Sequence, residues 1–201
     1  MENKNILVAL TGASGSMYGL RLLEQLSLNG FHVTFTASCS GSMVCCEETG
    51  LDLSGDMDKA LQRLYAHLEV DSGIRMVHPD DLFCATASGS SAPDAMVVCP
   101  CSMGTLARIA VGISGNLIER SADVVLKERR PLLLVPRETP LSDIHLENML
   151  KLSRAGALII PAMPAFYSRP ESVLDLVDFV VGKVLDQLGI ANDLYKRWGA
   201  E

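Results

Sequence analysis

No apolar run in this 201-residue chain is long enough to cross a bilayer; the longest are short or broken by charge. No secretory signal is expected at the N-terminus either, because the apolar stretch Ile6 to Leu10 is too short for one. Positive charge is scarce: 17 Lys and Arg stand against 24 Asp and Glu, for a net charge of −7. With a pI of about 5.1, the surface suits neither nucleic acid nor an anionic membrane. C-x-x-C pairs with downstream histidines are missing, and His32, His67, His78 and His145 share no ligand spacing, so no metal site is expected. The cysteines Cys39, Cys45, Cys46, Cys84, Cys99 and Cys101 read as free, mostly buried thiols of a reducing cytoplasm. Repeats, low-complexity stretches and linkers are also lacking, so residues 1–201 are expected to form a single domain.

What is present is an alternation of short apolar runs and helical patterns. Strands are expected at Asn5 to Leu10, Phe31 to Ala37, Ala95 to Cys99, Leu132 to Val135 and Ala157 to Ile160. Helices are expected over Met17 to Leu28, 43–49, 57–69, from about Met103, over Asp143 to Ala155, and from about Glu171 to Leu188. The stretch Asp71 to Ala92 reads as irregular. Strands alternating with helices predict an α/β, Rossmann-like three-layer fold with a mainly parallel sheet covered on both faces.

The first strand runs into a glycine turn, yet Gly12, Gly15 and Gly19 read G-x-x-G-x-x-x-G. The dinucleotide fingerprint G-x-G-x-x-G, with an acidic residue about 20 positions on, is not there. In such sheets ligands gather beyond the carboxyl ends of the strands. The turns there read Thr11-Gly-Ala-Ser14, Ser38-Cys-Ser40, Pro100-Cys-Ser-Met-Gly-Thr105 and Pro136-Arg-Glu-Thr-Pro140. Hydroxyls and backbone N–H groups ahead of a helix suit one phosphate or a polar ring edge. For each turn alone helix capping is the better explanation; four at one sheet edge favour a ring-bearing mononucleotide.

Arg120, Lys127, Arg129, Arg130 and Arg137 fall close together, opposed locally only by Asp123 and Glu128. This is either a solvated helix end or an anion site. Lys183 shares a helix face with Leu176, Val180 and Val184, so it either snorkels to the surface or meets an anion.

At this point the residues resemble a known family. G-A-S-G-S-M-Y-G-L-R-L-L at 12–23, P-C-S-M-G-T-L-A at 100–107 and A-D-V-V-L-K-E-R-R-P-L-L-L-V-P-R-E-T-P-L at 122–141 carry the likeness. I-H-L-E-N-M-L at 144–150, P-A-M-P-A-F-Y at 161–167 and V-D-F-V-V-G-K-V-L-D-Q-L-G at 177–189 extend it. Together they resemble the flavin prenyltransferases (the UbiX family) among the homo-oligomeric flavin-containing decarboxylase-like proteins. Residues 51–83 carry little of the likeness.

The resemblance implies transfer of a dimethylallyl group from dimethylallyl monophosphate to N5 and C6 of reduced FMN, without a metal. The prenylated FMN passes to a UbiD-type decarboxylase. It implies FMN contacts at Gly12, Ala13, Ser14, Ser38, Ser102, Met103, Gly104, Thr105 and Arg137. Tyr167, Lys183, Lys127 and Arg120 are implied at the dimethylallyl phosphate, Ser14 near flavin N5, and Glu138 as a proton-handling carboxylate. Trp198 is implied near the active site, on a C-terminal tail of about 190–201 that completes it. A cytoplasmic homododecamer with interfacial active sites is implied as well. Two positions depart from the family: Lys183 stands where arginine is common, and Gly104 where lysine or arginine is frequent. The alternatives are an FMN-dependent cysteine decarboxylase of the same superfamily and a non-catalytic FMN carrier.

Overall fold

The computed structural model describes residues 4–199; residues 1–3 and 200–201, the ends of the expected domain and tail, lie outside the described residues. Six strands form one sheet, all parallel, in the order β3-β2-β1-β4-β5-β6. They are β1 (Asn5–Leu10), β2 (His32–Ala37), β3 (Ile74–Met76), β4 (Ala95–Cys101), β5 (Leu132–Pro136) and β6 (Leu158–Ile159). The helices are α1 (Ser16–Leu28), α2 (Cys39–Thr49), α3 (Met57–Leu68), α4 (Met103–Ala110), α5 (Leu117–Lys127), α6 (Asp143–Arg154) and α7 (Val173–Leu188).

The central strands are apolar at almost every position because both their faces are covered, and their alternation sorts side chains between two cores. Val8, Leu10, Val97, Cys99, Leu133 and Val135 point to the layer of α1, α3 and α7. Leu7, Ala9, Met96, Val98, Leu132 and Leu134 point to the layer of α4, α5 and α6. Leu7, Val8, Val97 and Leu133 have no exposed surface, and each such side chain contributes about 1.5–3 kcal/mol by leaving water. The three-layer α/β expectation therefore holds.

At four places the structure corrects or adds to the local expectations. The stretch Asp71 to Ala92 contains β3, which pairs with β2 through Val33–Ile74 and Phe35–Met76; three residues are too few to show a periodic pattern. Helix α2 begins at Cys39, not 43, because the Ser38 side chain accepts from Gly41 N–H and starts the helix at once. Strand β4 runs on through Pro100 to Cys101. The helix from Met103 ends at Ala110, and a separate α5, capped by Asn116, carries Arg120 and Lys127.

Candidate active site

Strand order reverses between β1 and β4: β1 leads to α1 on one layer, β4 to α4 on the other. The crevice between their carboxyl ends is the place such a sheet offers a ligand. Thr11 joins its two walls. Its hydroxyl, fully buried, donates to Pro100 O at 2.8 Å and accepts from Ser102 N–H at 2.7 Å. Thr11 lies in the quoted turn but was not among the expected site residues; its position directly after β1 was the available signal.

The turns and helix starts at the carboxyl ends of β1, β2, β4 and β5 carry Gly12, Ala13, Ser14, Ser38, Ser102, Met103, Gly104, Thr105, Arg137 and Glu138 along this edge of the sheet. Gly12 lies so near α2 that a Cβ there would fall 2.6 Å from Cβ of Ser40, which leaves no room for a side chain. Ser38 and Ser102 both cap helices, Ser102 accepting from Thr105 N–H at 3.3 Å, so the bland reading of these turns is also true. Met103 is buried in the core of the α4 layer, and Thr105 is buried beside it, its hydroxyl accepting from the Ser102 hydroxyl at 3.1 Å and the Arg108 guanidinium at 3.3 Å. What that turn presents to solvent is Ser102 and the exposed Gly104. Arg108 borders Gly104, its guanidinium nitrogen 3.5 Å from where a Cβ would stand, and it pairs with the buried Glu119. Beside Ser38 a cavity of about 770 Å³ opens, lined by Cys39, Met43, Met57, Met76 and His78.

The N-terminus of α1, where a dinucleotide fold would hold pyrophosphate, is taken by a side chain. The Glu48 carboxylate accepts from Gly15 N–H at 3.0 Å and Ser16 N–H at 2.8 Å. Burial would raise its pKa, but the Ser14 hydroxyl and the Ser16 and Gly15 N–H groups outweigh that and hold it below the usual value. Glu48 was missed in the sequence because nothing local to α2 marks it; it acts 33 residues away in the chain.

Arg137 reaches back from the end of β5, its Nε donating to Ser14 O at 3.0 Å. Glu138 accepts from Thr139 N–H at 2.9 Å.

A second group lies along α7. Tyr167 meets Phe179 and Trp198 edge-on, with ring centroids 5.9 and 5.2 Å apart. The Lys183 ammonium lies 4.8 Å from the Tyr195 ring and 5.5 Å from the Phe179 ring. Its pKa is raised by the neighbouring Tyr195 hydroxyl. A cavity of about 590 Å³ here is lined by Tyr167, Arg169, Lys196, Arg197 and Trp198. Cations beside aromatic rings suit an anion with an apolar tail.

The third group is the basic run, and it is not an unpaired patch. Arg120 pairs with Asp123 at 3.1 Å and donates to Ala87 O; Lys127 pairs with Glu128. Arg130 meets Asp94 at 3.4 Å. Within one chain the hydrogen bonds and ring contacts of the described residues leave these three groups separate. The expected site is therefore assembled only in part.

Comparison with known proteins gives consistent findings. The Flavoprotein family matches residues 1–185. "Flavin prenyltransferase UbiX" of Pseudomonas aeruginosa is 52% identical over 199 residues, 98% of this chain and 95% of that protein. Among solved structures, AnUbiX (PadA1) in complex with FMN and dimethylallyl pyrophosphate superposes with a TM-score of 0.89 at 39% identity, covering 100% of both chains. A dodecameric FMN-dependent Ubix-like decarboxylase from Escherichia coli O157:H7 has a TM-score of 0.86 at 41% identity, covering 98% of this chain and 100% of that one.

Proposed function

The chain belongs to the UbiX flavin prenyltransferases, and from that membership we propose how its own residues carry the reaction. It transfers a dimethylallyl group to reduced FMN. The observation that carries this reading is the match, over the whole of both chains, to AnUbiX (PadA1) in complex with FMN and dimethylallyl pyrophosphate.

The residues at the switch point fit a flavin mononucleotide. Glu48 fills the α1 N-terminus, so no second phosphate is accommodated there, while Ser38 and Ser102 stand at the N-termini of α2 and α4. Gly12, Ala13 and Ser14 form a wall with little side chain, Gly104 leaves backbone open, and Met103 and Thr105 hold the turn from the core side. Arg137 borders the same wall. Reduced FMN supplies N5 and C6 as the atoms that accept the five-carbon group. Ser14, whose carbonyl accepts from Arg137 in this wall, would stand at flavin N5.

Tyr167, Lys183, Lys127 and Arg120 hold the phosphate of dimethylallyl monophosphate and stabilise its charge as the allylic C–O bond breaks. Trp198, with Tyr167, supplies aromatic faces and keeps water from the allylic carbon. Glu138 takes the proton released on ring closure.

Because the three groups are separate within one chain, we place the complete site between subunits of a homododecamer. Exposed Phe83, Met163, Phe166 and Leu150 provide apolar surface for such contacts. The product serves a UbiD-type decarboxylase in the cytoplasm, whose reducing conditions suit the free thiols of this chain. A cysteine decarboxylase would need an asparagine in the turn after β4, and Pro100-Cys-Ser-Met-Gly-Thr105 stands there instead.

The test is the mass of the flavin after the protein meets reduced FMN and dimethylallyl monophosphate. A gain of one five-carbon unit is expected. Tightly bound FMN of unchanged mass would leave the carrier reading in its place.

A further inference from the structure

The described end of the C-terminal tail, residues 190–199, returns along α7 and is fastened at one carboxylate. Asp186 accepts from the Asn192 side-chain amide at 3.0 Å and the Tyr195 hydroxyl at 2.6 Å. It also accepts from two nitrogens of the Arg197 guanidinium, at 2.7 and 3.1 Å. One turn earlier on the helix, Gly182 makes room for this docking, since a Cβ there would fall 2.5 Å from the Tyr195 ring. Burial would raise the Asp186 pKa, but Arg197, Tyr195 and Asn192 together hold it below the usual value.

Two consequences follow from where these residues sit. Arg197 is next to Trp198, whose ring stands edge-on to Tyr167 at 5.2 Å; fixing Arg197 fixes the start of that contact. Asp186 is also three residues from Lys183 on the same helix, a spacing at which acid and base ordinarily pair. Here the ion pair of Asp186 is made with Arg197 instead, and Lys183 lies over the rings of Tyr195 and Phe179. A lysine is a flexible point charge with no fork to orient it. The docked Tyr195 ring supplies the orientation that the side chain lacks.

We propose that Asp186 is a positioning residue: by engaging the donors of the tail it sets Trp198 beside Tyr167 and leaves the Lys183 ammonium without a carboxylate partner, free for a substrate phosphate. The inference rests on the prenyl-transfer reading for the identity of that phosphate, but the docking itself does not.

The chain has one tryptophan, so its fluorescence reports this tail alone. Asp186→Asn and Arg197→Gln should both lower the steady-state anisotropy of Trp198. Both should raise KM for dimethylallyl monophosphate roughly 10- to 100-fold, the scale of an ångström-sized misplacement, with a smaller fall in kcat. FMN affinity, set at the switch point, should stay at the parental value and report an intact fold. Arg197→Lys, which keeps the ion pair, should restore most of the KM. Arg197 is more than half exposed, so its variants do not threaten folding. Parental anisotropy in both Asp186→Asn and Arg197→Gln would overturn the docking. A lowered anisotropy with parental KM would overturn the positioning role. If the parent chain leaves FMN unmodified, the prenyl-transfer reading fails, and the anisotropy series still decides the docking by itself.

Discussion

Arg137 and Ser14, 123 residues apart in the chain, meet at the switch point, where the Arg137 Nε donates to the Ser14 carbonyl at 3.0 Å. The contact ties the end of β5 to the turn after β1 across the intervening β4. It also brings a cation to the wall that Gly12, Ala13 and Ser14 form, in a chain whose net charge is −7.

Arg137→Ala should therefore loosen that wall and remove a charged donor from the flavin site. A hydrogen bond to a charged group contributes about 1.5–3 kcal/mol, so FMN affinity should fall roughly 10- to 150-fold. Quenching of flavin fluorescence on titration measures it. Arg137 is half-buried, and thermal stability should change little; unchanged FMN affinity would remove Arg137 from the site.

Glu48 gives the fold a pH dependence at one helix end. Its folded pKa lies below the ordinary glutamate value of 4.5, so its contribution is fully present above that value. The contribution is lost as pH falls through the lower folded value, where the carboxylate is protonated and the α1 N-terminus loses its charge partner. Because the group is largely exposed, the contribution is screened to about 1 kcal/mol or less. Glu48→Gln should lower Tm at pH 7 and flatten the acid limb of the curve below about pH 4.5. Parallel Tm profiles for parent and variant would show that Glu48 has no such role.

How much of this was readable in the sequence depends on range. Strand periodicity and the turns at the strand ends are local patterns, and they pointed to the carboxyl edge of the sheet; the strand order that makes β1/β4 the switch point is not local. β3 escaped because three residues of an edge strand owe their conformation to pairing with β2. Glu48 and Asp186 escaped for a different reason: each looks like an ordinary acidic residue on a helix. Their partners, the Gly15 turn and the tail, come from segments brought near by the fold. One pairing in the basic run was hidden in the same way, since the countercharge of Arg130 is Asp94, 36 residues away.

Lys183 offers a direct test of the phosphate site. Removing one partner of a buried charge pair costs about 2–5 kcal/mol, so Lys183→Ala should reduce kcat/KM for dimethylallyl monophosphate by roughly 30- to several-thousand-fold. FMN affinity should be unaffected, because Lys183 lies in the α7 group and not at the switch point. Lys183→Arg keeps the cation over the Tyr195 and Phe179 rings and adds a fork for phosphate, so it should retain or raise activity. Parental kinetics for Lys183→Ala would mean that the ammonium only snorkels to solvent.

Thr11 separates the two roles that a switch-point residue can have. Its hydroxyl both donates to Pro100 O and accepts from Ser102 N–H, with no surface of its own exposed. Thr11→Val keeps the shape but leaves the Ser102 N–H without its acceptor, a loss of about 1–3 kcal/mol when unrelieved, while Pro100 O keeps the Thr11 N–H at 3.2 Å. Tm should drop by several degrees. The turn after β4 should lose its fixed position against the turn after β1, and FMN affinity should fall with it. Thr11→Ser keeps the hydroxyl and gives up only a methyl group, so it should preserve FMN affinity while losing about 1 kcal/mol of packing. That contrast discriminates: if both variants lose stability but bind FMN equally well, the Thr11 bonds serve the sheet alone. If Thr11→Val loses FMN and Thr11→Ser does not, the two walls of the crevice are held in register by one hydroxyl.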